Sequence, residues 1–153
     1  MSASRRTTGG RYSTPVRQVR FEADLAALKE AALGAMEHAY APYSNFRVGA
    51  ALVGEDGTVV AGCNVENASY PSGICAERTA LGSAVAHGFR VFELMVICTE
   101  AGEPTPPCGL CRQMLAEFAP GLMIVSYTTG GQEARWQLRE LLPHPFNPHS
   151  LDR

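Results

Sequence analysis

The chain has 153 residues, 46% of them hydrophobic and 18% charged, with a formal net charge of -2. Domains commonly run to about 100–150 residues, so a single domain able to bury its own core is the simplest organisation. The near-neutral balance argues against a wide cationic surface for a long polynucleotide, and no apolar run is long enough to span a bilayer.

Residues 1–20 are rich in Ser, Thr, Gly and Arg and read as a flexible N-terminal tail ahead of a catalytic domain over 21–153. No apolar segment follows the early arginines, so no secretory signal is read. Five cysteines in such a chain point to a reducing compartment, and a cytoplasmic location is expected.

From Phe21 to Tyr40 apolar residues recur at helical spacing, and Ala41-Pro42-Tyr43-Ser44-Asn45 breaks the pattern. Two short apolar runs, V-G-A-A-L-V and T-V-V-A-G-C, flank an Asp56-Gly57 turn and predict a hairpin. A loop from Asn64 to Gly73 precedes a helix from Cys75 to about His87. Val91 to Cys98 reads as a buried strand, A-G-E-P-T-P-P as a loop, Cys108 to Phe118 as a helix and Leu122 to Tyr127 as a strand. This order predicts an α/β fold, a three-layer α/β/α sandwich around a mixed sheet with parallel crossovers in its second half.

Cys108 and Cys111 stand at i and i+3 on the first turn of a helix, so both sulfurs can reach one point. The positive end of a helix favours thiolates there. Alone, C-G-x-C reads equally as a zinc pair or as a thioredoxin-type redox pair. Cys75 also stands at a helix start, and two such starts can meet at one edge of a sheet. Three thiolates suit zinc at ~2.3 Å and leave one tetrahedral position for water, the mark of a catalytic rather than structural site.

Glu77 is then placed to accept a proton from that water and deliver it. Three thiolates leave an excess of negative charge, and Arg78 and Arg112 are candidates to donate hydrogen bonds to the sulfurs. Cys63 and Cys98 fall on strand runs and read as inert core thiols; His38, His87, His144 and His149 read as surface or packing residues.

The stretches Y-S-N-F-R-V-G-A-A-L, G-C-N-V-E-N-A-S-Y, I-C-A-E-R-T-A and P-C-G-L-C-R-Q, with the closing L-L-P-H-P-F-N-P-H-S-L, resemble the small zinc-dependent cytidine deaminases with three cysteine ligands. The resemblance covers about Phe21 to Leu151. It implies one Zn2+ per subunit on Cys75, Cys108 and Cys111, with Glu77 as the proton shuttle. It also implies Asn64 and Glu66 on the ribose hydroxyls, Phe46 beside the pyrimidine and the Ala76 backbone on its polar edge. A homotetramer is implied, with Ala68, Tyr70 and Phe146 offered by a neighbouring subunit. The implied reaction is hydrolytic deamination of cytidine and 2′-deoxycytidine in pyrimidine salvage, with a nucleoside substrate and neither a nucleic-acid nor a membrane partner. Arg47, Ser72 and Pro106 depart from the pattern: proline is common at the first, a bulkier residue at the second and a small polar residue at the third.

Overall fold

The structure, a computed structural model, describes residues 21–151. The tail expected over 1–20 lies outside the described residues, as do 152–153. Helix α1 spans Phe21–Glu37, and strands β1 (Val48–Val53) and β2 (Val59–Cys63) form the expected hairpin. Gly57 takes a positive φ of 91° in its turn, a conformation open to glycine without a steric cost. Helix α2 spans Ala76–Ala86, strand β3 Leu94–Thr99, helix α3 Gly109–Phe118 and strand β4 Met123–Thr128.

These strands and a further one, β5 (Glu133–Gln137), make a five-stranded sheet in the order β2-β1-β3-β4-β5. Only the β3–β4 pair is parallel, and α3 is its crossover. A short helix α4 (Leu138–Leu141) and 3-10 turns at Tyr70–Ser72 and Pro148–Leu151 complete the elements.

The pleat sorts the core into two layers, because alternate residues face opposite sides of a sheet. Ala51, Val53, Leu94, Val96 and Cys98 pack beneath Leu25, Leu28, Ala32 and Met36 of α1. Ala50, Leu52, Met95 and Ile97 pack on the other face against Ala76, Ala80, Leu81 and Ala84 of α2 and Leu115 of α3. Each large aliphatic side chain so buried contributes roughly 1.5–3 kcal/mol. The expected three-layer α/β/α sandwich is therefore the observed architecture. No helix of the described residues is long and apolar enough to cross a membrane.

Helix and sheet touch backbone to backbone at two glycines. A Cβ on Gly49 would lie 1.8 Å from the Ala32 carbonyl oxygen of α1, and one on Gly62 would lie 2.5 Å from the Ala80 nitrogen of α2. Gly62 thus sets how closely the first turns of α2 approach the sheet.

Two boundaries differ appreciably from the sequence reading, and two elements are additional to it. Helix α1 stops at Glu37 rather than Tyr40, because Tyr40 N–H donates to the Asn64 carbonyl and the Tyr40 carbonyl accepts from Glu66 N–H. Strand β3 begins at Leu94 rather than Val91, because Glu55 Oε1 takes the N–H groups of Arg90 and Val91. Strand β5 and helix α4 were not expected, since β5 is an edge strand whose burial alternates only weakly.

Candidate active site

Two helix starts converge at one edge of the sheet. Cys75 is the N-cap of α2 and Cys108 the N-cap of α3, both with extended backbone and neither capping its own helix with its side chain. Cys111 follows on the buried side of the first turn of α3. The Sγ atoms of Cys75 and Cys108 are 3.7 Å apart, and those of Cys108 and Cys111 are 3.5 Å apart. All three lie within 4.8 Å of one another.

Four tetrahedral ligands at a zinc–sulfur distance of ~2.3 Å stand ~3.8 Å from each other, so the sulfurs already have the spacing zinc requires. A redox pair would need only Cys108 and Cys111; the third sulfur favours the metal. Among the described residues this is the group of Cys, His and acidic side chains able to hold an ion.

The charges fit the same use. Cys75 is pulled down to about 5, chiefly by the hydrogen bond from Cys111, with further help from Cys108 and the Arg78 guanidinium against the cost of burial. Cys111 is pushed up by the Cys75 sulfur and by burial, so the bare cluster shares its protons. A divalent cation would let all three ionise. Arg78 Nη2 donates to the Gly73 carbonyl at 3.2 Å, and its buried Nε has no hydrogen-bond acceptor among the described residues. Arg78 also lowers the Cys75 pKa, through a hydrogen-bonding interaction with the sulfur and through its charge.

Glu77, on the first turn of α2, is 6% exposed. Burial pushes its carboxyl up to about 7, partly offset by its own backbone N–H, so it can hold or release a proton near neutrality.

A cavity of about 430 Å³ opens over these groups, within the usual range for a small-molecule site. Cys75, Ala76, Glu77, Arg78 and Cys108 line one part of it, and Phe46, Asn64, Glu66 and Tyr70 line the rest. Asn64 and Glu66 share a side because Val65 between them is held extended, bridged to Tyr40 and to Ile74. Asn64 Oδ1 accepts from Val48 N–H at 2.9 Å, and Nδ2 donates to the Phe46 carbonyl at 2.7 Å. One amide hydrogen and one lone pair remain for a ligand.

Glu66 Oε1 accepts the N–H groups of Tyr43 and Ser44, and Oε2 accepts the Ser44 hydroxyl. These bonds, the hydroxyl first, hold its carboxyl below the usual range. The anchoring role of Tyr43 and Ser44 escaped the sequence reading, although Y-S-N-F was in plain sight. A lone Ser with a bulky neighbour carries no local signal of a contact 22 residues away. Val48, Ile74, Ile97, Thr105 and Leu110 also line the cavity and were not anticipated.

Of the three residues expected to serve a neighbouring subunit's substrate, Tyr70 lines this chain's own cavity, and Ala68 and Phe146 do not. Phe146 is 60% exposed, and its backbone exchanges two hydrogen bonds with the Gln113 amide. Arg112, expected at a sulfur, donates through Nε to the Pro107 carbonyl and through Nη1 to the Leu141 carbonyl. Those bonds tie the start of α3 to the C-terminal segment.

Comparison with known proteins agrees with this geometry. The family described as "Cytidine and deoxycytidylate deaminase zinc-binding region" matches residues 23–127. The chain is 46% identical over 118 residues to a cytidine deaminase of Sporosarcina psychrophila, covering 76% of this chain and 87% of that one. It is 41% identical over 130 residues to a cytidine deaminase of Halalkalibacterium halodurans, covering 84% and 98%. A crystal structure of cytidine deaminase from Burkholderia pseudomallei superposes with a TM-score of 0.76 at 51% identity, covering 79% of this chain and 98% of the other. With three cysteine sulfurs at zinc spacing beside a buried carboxyl, and these relatives over most of its length, the chain belongs to the zinc-dependent cytidine deaminase family.

Proposed function

We propose that the chain hydrolyses cytidine and 2′-deoxycytidine to uridine and 2′-deoxyuridine, releasing ammonia in pyrimidine salvage. One observation carries this reading: Cys75, Cys108 and Glu77 line the same cavity as Asn64 and Glu66, with the buried Cys111 sulfur within 4.8 Å of the other two. A group for chemistry and a pair for a sugar then sit at two ends of one nucleoside-sized space.

Cys75, Cys108 and Cys111 would hold zinc, which when bound supplies Lewis acidity and a water of lowered pKa. Glu77 accepts a proton from the attacking water and gives it to ring N3 while the water oxygen bonds to C4. It then passes the second water proton to the amine on C4, and the C4–N bond breaks to leave a carbonyl and ammonia. Arg78 offsets the thiolate charge. Phe46 packs beside the pyrimidine, and the Ala76 backbone, free of a bulky side chain, meets its polar edge. Asn64 and Glu66 hold the ribose hydroxyls and take no part in the chemistry.

The catalytic domain comprises residues 21–153, and the working form is a cytoplasmic homotetramer. In it Ala68, Tyr70 and Phe146 reach a neighbour's substrate, which accounts for the 77% and 60% exposure of the two aromatic residues. Sedimentation of the purified chain at four times the monomer mass supports that assembly, and a monomer excludes it.

Steady-state ultraviolet assays with cytidine, 2′-deoxycytidine, cytosine and a short cytosine-containing oligonucleotide test the substrate class. The two nucleosides should show the highest kcat/KM. A preference for the oligonucleotide, whose hydroxyls are blocked by phosphate, would overturn the reading.

A further inference from the structure

The loop A-G-E-P-T-P-P joins β3 to α3 and presents Thr105 and Pro106 to the cavity immediately before Cys108. Its ends are tied down: Ala101 N–H donates to Thr99 Oγ1 at 3.4 Å, and Arg112 Nε donates to the Pro107 carbonyl at 2.7 Å. The middle has almost nothing to bond with. Pro104, Pro106 and Pro107 lack an N–H, so Thr105 carries the only backbone donor from 104 to 107. Pro106, one of the departures from the family pattern, removes a donor that a serine would have kept.

The Thr105 N–H donates to Ser126 Oγ at 3.0 Å. Ser126 belongs to β4 and is fully buried. It pairs in register with Ile97, which lines the cavity floor. We infer that Ser126 is a positioning residue for the nucleoside site: its buried hydroxyl takes the loop's single central N–H and fixes Thr105 and Pro106 as the wall beside the sulfurs. This inference rests on reading the cavity as the nucleoside site, because that wall then borders the reacting ring.

Cys108 is held separately. Its carbonyl accepts Arg112 N–H at 2.9 Å in the first turn of α3, and Pro107 is tied by the Arg112 side chain. Losing the Ser126 hydroxyl therefore loosens the wall without releasing the metal ligand. A contact that acts equally on bound substrate and transition state appears in KM rather than in kcat.

Ser126→Ala conserves volume and should fold. In the zinc-loaded enzyme it should raise the cytidine KM roughly five- to tenfold, the scale of one lost hydrogen bond, with kcat within about twofold. Zinc should remain at one per chain. Ser126→Thr restores a hydroxyl on a strand that tolerates β-branching and should return KM to within about twofold of the parent. The Thr105 amide should exchange quickly in Ser126→Ala and slowly in the parent and in Ser126→Thr. An unchanged KM in Ser126→Ala, or a fall in kcat with zinc loss, overturns the assignment. If the parent enzyme does not turn over cytidine, the functional reading fails. Thr105 exchange then decides the anchor alone: equal rates in parent and Ser126→Ala reject it.

Discussion

Replacing Gly62 with alanine would place a Cβ 2.5 Å from the Ala80 nitrogen and 2.9 Å from the Ala76 carbonyl oxygen. Both neighbours are backbone atoms of α2, so neither can swing aside as a flexible side chain could. Relaxing the nearer contact to the 3.4 Å of ordinary packing requires a shift of about 0.9 Å. Overpacking of this kind costs about 1–3 kcal/mol. For a chain of this size that lowers Tm by roughly 3–10 °C. The shift falls on the helix turn between Cys75 and Glu77 on one side and Ala80 on the other. A misplacement of ~1 Å at a reacting group costs ~100-fold in rate, so kcat per bound zinc should drop about 10- to 100-fold.

Gly49→Ala supplies the contrast. Its Cβ would meet the Ala32 carbonyl at 1.8 Å, a worse clash, but against α1, which carries no proposed site residue. It should cost upwards of ~3 kcal/mol while kcat per bound zinc stays near the parent value. Thermal unfolding and zinc-normalised turnover of both variants give the comparison. Gly62→Ala with parental kcat per zinc, or equal losses in the two variants, would refute the reasoning.

Glu66→Gln keeps an acceptor for the Tyr43–Ser44 turn but removes the charge; the cytidine KM should rise ~10-fold, and turnover of 2′,3′-dideoxycytidine should barely change. Equal losses on both substrates would mean that Glu66 acts only on the fold. Because the Ser44 hydroxyl and the backbone hold this carboxyl below its ordinary value, its contribution is present at neutral pH and is lost only as pH falls through that lowered pKa. The KM profile should accordingly show no Glu66 inflection near neutrality. Arg47 grips Glu100 through both Nε and Nη2, linking the segment that carries Phe46 to the start of the proline-rich loop. Arg47→Met and Glu100→Gln should each raise KM about two- to fourfold, with no further loss in the double variant, and added salt should mimic them. Cys75→Ser should abolish stoichiometric zinc and turnover, whereas Cys63→Ser should leave both intact; zinc retained in the first would break the ligand set.

The metal cluster was legible in the sequence because zinc imposes local rules. Cys108 and Cys111 must sit one helical turn apart, and Cys75 must open a second helix. Asn64 and Glu66 came from the family resemblance of G-C-N-V-E-N-A-S-Y, and the extended N-V-E segment is what lets the two face one side. The bonds that hold these groups were not legible. Ser126 reaches Thr105, Ser44 reaches Glu66 and Tyr40 pairs with Val65 across long separations that leave no period to read. Strand β5 was missed for a related reason: an edge strand of partly exposed residues, E-A-R-W-Q, lacks the apolar run that betrayed β3. Arg112 lies beside a cysteine in the sequence, yet its Nε and Nη1 turn to carbonyls of Pro107 and Leu141. Adjacency in the chain says little about where a long side chain finds its partner.

The most direct test of the central claim is turnover of cytidine by Glu77→Gln, with zinc measured on the same sample. The substitution keeps size and polarity in a buried position but removes a carboxyl poised near 7. The account predicts one zinc per chain, an unchanged fold and a kcat lowered at least ~100- to 10,000-fold, as befits loss of the group that moves both protons. A Glu77→Gln enzyme that keeps its zinc and deaminates cytidine at the parental rate would contradict it.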